Sequence, residues 1–138
     1  MAEEEIRELM RLIVEIKENL EELKVALRAM LPRLRIARRV PLEVAEEILS
    51  ERIMTAQDLN ETRILYMSML ERASPEKIRE LLDLFRSKAD RASRLLEQAE
   101  EAHAIDPERF TSDIIENLRR MYLFWLDMIR EAERRLGE

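Results

Sequence analysis

A chain of 138 residues, 46% hydrophobic and 39% charged, has the length and apolar content of one folded domain. Its net charge of −6 disfavours general nucleic-acid binding, and the absence of cysteine excludes disulfides and thiolate chemistry and fits a reducing, cytoplasmic setting. A single glycine, Gly137, leaves little material for hairpins or phosphate-cradling loops, so helices joined by short connections are expected. No apolar run approaches the ~18 residues of a membrane span, and the N-terminal MAEEEIREL is acidic, unlike a signal peptide. No membrane association is expected.

The first segment places Ile6, Leu9, Ile13, Ile16, Leu20, Leu23, Leu27, Met30 and Leu34 at alternating spacings of three and four, a heptad seam. The pattern predicts a helix from about Ala2 to Leu31. Pro32 is expected to end or kink it, because its ring clashes with the carbonyl four residues back.

Pro41 opens the second segment, with Leu42, Ala45, Ile48, Leu49 and Ile53 on one face. Thr55 has the features of an N-cap with Asp58 three residues on, which predicts a break near Met54–Thr55 and a new helix from Ala56 to about Arg72. One unbroken helix from Pro41 to Ala73 is the competing reading. It would bring Asn60 and Arg63 close to the core, at a cost unless they are paired.

Ser74-Pro75-Glu76 supplies an N-cap, a proline at N1 and an acid near the positive helix end. Ile78, Leu82, Phe85, Ala89, Ala92, Leu96, Ala99 and His103 form the seam that follows. Asp106-Pro107-Glu108 repeats the start signal. The last seam is Ile114, Leu118, Met121, Trp125, Met128 and Ala132, with Gly137 as the expected C-cap. The simplest all-α architecture is an up-down bundle of four long antiparallel helices forming one domain over 1–138, its second helix broken near Thr55. This regularity resembles de novo designed bundles, which implies a scaffold.

Four features are candidate sites. The stretch Leu23–Leu42 contains no acid, and if the helix continues through Pro32, Lys24, Arg28, Arg35, Arg38 and Arg39 fall within roughly 100° of arc. Such a stripe suits phosphate, nucleic acid or an acidic partner helix; the plainer alternative is that these cations pair with glutamates on adjacent helices. His103, the one histidine, ends a seam whose alanines leave room for a pocket, so haem or another small molecule is a candidate ligand. A role at the helix C-terminus is the alternative. With one histidine a multi-histidine metal site is excluded, and the Glu-x-x-His pattern occurs once, at Glu100–His103, where di-iron bundles use two copies. Met121, Tyr122, Phe124, Trp125 and Met128, with Tyr66, Met67 and Met69, would suit either a groove or an ordinary core. Leu123 and Phe124 lie off the last seam and widen its apolar arc, which makes them a candidate dimer interface.

Ile48-Leu49-Ser50-Glu51-Arg52-Ile53-Met54-Thr55 with Ile78-Arg79-Glu80-Leu81-Leu82-Asp83-Leu84 resembles the spacing of caspase-recruitment domains, which implies an interaction module without catalytic residues. His103-Ala104-Ile105-Asp106-Pro107-Glu108-Arg109-Phe110 is similar to the inter-helix turn of all-helical chorismate mutases, whose dicarboxylate substrate suits arginines. That family's lysine and Arg-Glu pair have no counterpart in this sequence. No serine sits in a Gly-flanked elbow, and no phosphate loop or dinucleotide fingerprint is present. The expectation is a non-enzymatic interaction or scaffold protein with a protein partner or a second copy of itself. The alternatives are a ligand-binding bundle using His103 and a subunit of a nucleic-acid-binding assembly docking through the basic stripe.

Overall fold

A computed structural model describes residues 2–137, and these are all-helical with no strand. Five helices follow in order: α1 (Ala2–Arg39), α2 (Leu42–Ser50), α3 (Ala56–Arg72), α4 (Pro75–Ile105) and α5 (Ser112–Gly137). The break between α2 and α3 spans 51–55, so the 41–73 stretch is two helices. Thr55 caps α3 as its spacing predicts: its hydroxyl accepts from the Asp58 N–H at 3.1 Å, and its own N–H donates to the Asp58 carboxylate at 3.0 Å. Ser74 caps α4 by accepting from the Lys77 N–H at 3.3 Å, with Pro75 in the first turn.

The packed unit is organised on α4 and α5, which run antiparallel through the 106–111 connection. Two apolar clusters flank this pair. At the connection end, Leu95, Ala99 and Ala102 of α4 and Ile115 and Leu118 of α5 pack with Ala45 and Ile48 of α2, Ile36 and Val40 at the end of α1, and Phe110. At the other end, Ile78, Leu81, Leu82 and Phe85 meet Phe124, Met128 and Ala132, with Leu70 of α3 closing the side. Four aromatic rings interlock there. Tyr66 and Phe85 meet edge-on at 5.0 Å, as do Phe124 and Trp125 at 5.0 Å, geometries that suit ring quadrupoles.

Buried Asn117 ties the α2–α3 break to α5. Its side-chain oxygen accepts from the Met54 N–H at 2.8 Å, and its amide nitrogen donates to the Arg52 carbonyl at 2.9 Å. Two backbone groups that the helix break leaves unpaired are thereby satisfied. Arg91 makes a second tie, from α4 to α2, with Nε 2.8 Å from Glu47 and a terminal nitrogen 2.5 Å from Glu51. Burial alone would lower its pKa, but hydrogen bonds and charge from these two carboxylates raise it overall.

Three expectations are corrected. Pro32 lies inside α1 and does not end it. It occupies the heptad position opposite the seam, between exposed Leu31 and Arg33, and leaves the carbonyl of exposed Arg28 without its helical donor. Asp106-Pro107-Glu108 does not start the last helix, which begins at Ser112. It makes a single turn closed by the Phe110 N–H on the Asp106 carbonyl at 3.0 Å, and the chain then drives Phe110 into the core. Gly137 does not cap α5 in the left-handed conformation: it is the last helical residue, and no glycine among the described residues has a positive φ.

Candidate functional site

Good helix formers fill α1, with Glu3, Glu4 and Glu5 in its first turn and Arg38 and Arg39 in its last, each sign matched to the nearby helix end. Ion pairs at i,i+3 join Glu8 to Arg11 and Glu21 to Lys24, both at 3.5 Å and both solvent-exposed. Only the far end of the helix is anchored, by Ile36 and Val40. Every residue from 2 to 31 is exposed.

The seam is therefore uncovered. All nine of its side chains from Ile6 to Leu34 are 50–59% exposed. Met10, Leu12 and Leu31 add apolar surface beside it, while Val14 and Val25 are exposed on the outer face of the helix. The whole chain exposes 10364 Å², against about 7,500 Å² for a compact protein of 16.5 kDa. Monomeric proteins rarely leave a contiguous apolar stripe of this extent facing water.

Because α1 runs unbroken through Pro32, it brings Lys24, Arg28, Arg35, Arg38 and Arg39 onto one helix face. Lys24 pairs with Glu21 within its own helix. Arg28, Arg33, Arg35, Arg38 and Arg39 make no ion pair among the described residues, so these arginines do not pair with glutamates on neighbouring helices. Charge is polarised along the helix. Residues 2–22 carry eight glutamates against Arg7, Arg11 and Lys17, a net of −5, while residues 23–40 carry six cations and no acid, a net of +6. The stripe's Arg35, Arg38 and Arg39 line a cavity of about 350 Å³ with Ala104 and Ile105 of α4, and Arg33, on the other side of α1, lines a separate cleft of about 400 Å³ with Leu34, Ile36, Arg109 and Phe110.

The other candidates lie elsewhere. His103 is half-buried at the end of α4, its Nδ1 2.6 Å from the Phe110 carbonyl; a carbonyl only accepts, so Nδ1 donates. The bond ties the helix end to the loop that carries buried Phe110. The alanines expected to leave a pocket, Ala89, Ala92 and Ala99, are buried, and Ala99 shares a cluster with Ile115 and Leu118 of α5. Phe124 is a core residue against Trp125, whereas Leu123 is exposed and lines a shallow groove with Ala56, Asn60 and Arg63. Arg63 is paired with Asp127 at 2.7 Å. Among the described residues no three metal-ligating side chains cluster, and no helix is long and apolar enough to cross a membrane.

Asn117, Arg91 and the exposure of the seam were not singled out from the sequence. Asn117 gives no local signal, since its partners are 63 and 65 residues away. Comparison with protein-family models, with curated proteins and with solved structures found no match.

Proposed function

We propose that this chain is a non-enzymatic interaction and scaffold protein: a small helical head, formed by α2–α5, that holds α1 out as a docking arm. The observation that carries this reading is the exposure of the entire Ile6–Leu34 seam on a helix anchored only at its last turns. A heptad seam is built to be covered by another helix, because burying its side chains supplies the free energy that holds such helices together. The composition of the chain supports a role without catalysis, since it supplies no nucleophile–base set and no phosphate loop.

Amide hydrogen exchange on the full chain, read alongside its mass by light scattering, tests this. Amides of residues 6–34 are expected to exchange readily in the uncomplexed chain and to gain protection only when the helix is paired, while α4 stays protected throughout. Replacing Ile16 and Leu20 together by glutamate is expected to abolish the gain in α1 and leave α4 unchanged. A monomer whose α1 is as protected as α4 would mean that the seam packs on its own head, and the reading would be wrong.

A further inference from the structure

We propose, resting on the docking-arm reading above, that the occupant of the α1 stripe is α1 of a second copy of this chain, running antiparallel to the first. Three observations select this occupant and this orientation.

The first is charge. An antiparallel pair lays the −5 half of each α1 along the +6 half of the other, so the two long-range fields nearly cancel. A parallel pair sets acid against acid at one end and six cations against six at the other. The helix dipoles favour the same choice.

The second is register. With Leu20 opposite Leu23 of the second copy, the remaining layers fall into step: Leu9 with Leu34, Ile13 with Met30, and Ile16 with Leu27, each met twice by symmetry. Every seam position in these layers finds an apolar partner. Met10 and Leu31, apolar residues on the flank that usually carries charge, also come together across this antiparallel seam. In a parallel pair Met10 would face Glu5 instead. Lys17 and Lys24 of the second copy are the one like-charge meeting, near the centre, where both long side chains can turn to solvent.

The third is area. The seam and its apolar flanks offer on the order of 1,000 Å² from each copy, more than the roughly 800 Å² per partner of a standard specific interface. The surface of one copy exceeds that of a compact chain by roughly 2,900 Å², more than the face each copy would bury. The anchoring end does not interfere: Ile36 and Val40 face the head, while Leu34 remains exposed for the second copy.

Disulfide trapping decides the orientation, and the chain suits it because it contains no cysteine. Leu9→Cys and Leu34→Cys are prepared separately. In the antiparallel pair two copies of position 9 lie about 37 Å apart, by the helical rise, whereas position 9 of one copy faces position 34 of the other. The expected result is a mass of twice the 16.5 kDa chain by light scattering. On mild oxidation, covalent dimer should form when the two variants are mixed and not in either variant alone. The Ile16→Glu/Leu20→Glu chain should be monomeric with α4 still protected from exchange. Cross-linking of Leu9→Cys alone as efficient as in the mixture overturns the orientation and leaves the docking arm standing. A monomeric mass at every concentration with α1 exchanging freely, or a mass above twice the chain's, overturns the second copy as occupant. A monomer with α1 protected overturns both readings.

Discussion

Ile78 to Ala99 along α4 and Ile6 to Leu34 along α1 repeat apolar residues at the same helical spacing, yet the first set is buried and the second is half exposed. The difference lies in what each helix meets. A short connection returns the chain from α4 directly into α5, whose own apolar face covers it. α1 ends in a two-residue link to the nine-residue α2, too short to lie along a seam of thirty residues. Periodicity therefore marks an apolar face, and chain topology decides whether the same molecule covers it.

Truncation on the two seams is the sharpest way to break that comparison. Phe85→Ala, in the centre of the aromatic cluster, is expected to lower head stability by about 3–5 kcal/mol. Leu20→Ala in a dilute, unpaired chain is expected to change it by no more than about 0.5 kcal/mol, because no packed neighbour is lost. Denaturant unfolding of both variants checks this, and equal losses would place α1 inside the cooperative unit.

Asn117→Leu asks how far the head depends on ties that no seam supplies. It keeps the branching and the number of side-chain heavy atoms but leaves the Met54 N–H and Arg52 carbonyl unpaired, for an expected loss of about 3 kcal/mol. The accompanying sign is fast exchange at the Met54 amide.

A smaller effect is expected at the start of α3. Thr55→Ala removes the cap and is expected to cost about 1 kcal/mol. Thr55 also holds the Asp58 carboxyl below its ordinary value, through its backbone N–H first and its side chain second, with Arg52 adding to the effect. A carboxylate whose folded pKa lies below its unfolded one, about 3.9, stabilises fully above that value and loses the contribution as pH falls through the folded pKa. The stability gap between the parent chain and Asp58→Asn is therefore expected to be constant near neutral pH and to close below about pH 4. Unfolding midpoints measured across that range check the sign.

Legibility followed the range of the interaction. Ser74-Pro75 and Thr55 with Asp58 were readable because a cap is complete within four residues. Seam frames were readable to within one position: α4 buries Leu95 and Ala102 where the spacing selects Leu96 and His103, and α5 buries Phe124 where it selects Trp125. A helix packed on two sides widens its apolar arc, and sequence alone does not say which edge is covered. The helix end expected at Pro32 is not realised, because the penalty of an internal proline depends on whether the carbonyl it leaves unpaired finds another partner. Asp106-Pro107 was misread because a start signal carries no information on how long the helix will run, and Phe110, taken into the core, stops it after one turn. The basic stripe of α1 was legible as arithmetic on the helical repeat. That the same helix would stand clear of the head was not, since exposure depends on residues far along the chain.

Pro32 has a mechanical consequence. A helix that lacks one hydrogen bond is more compliant at that level, and here the soft level lies just outside the anchored turn. α1 is thus a lever with its joint next to the fulcrum. A deflection of about 20° at Pro32 sweeps Ala2 through roughly 15 Å, given the 1.5 Å rise per residue. The angular reach of the N-terminal end of α1 is thus set by the position of one proline.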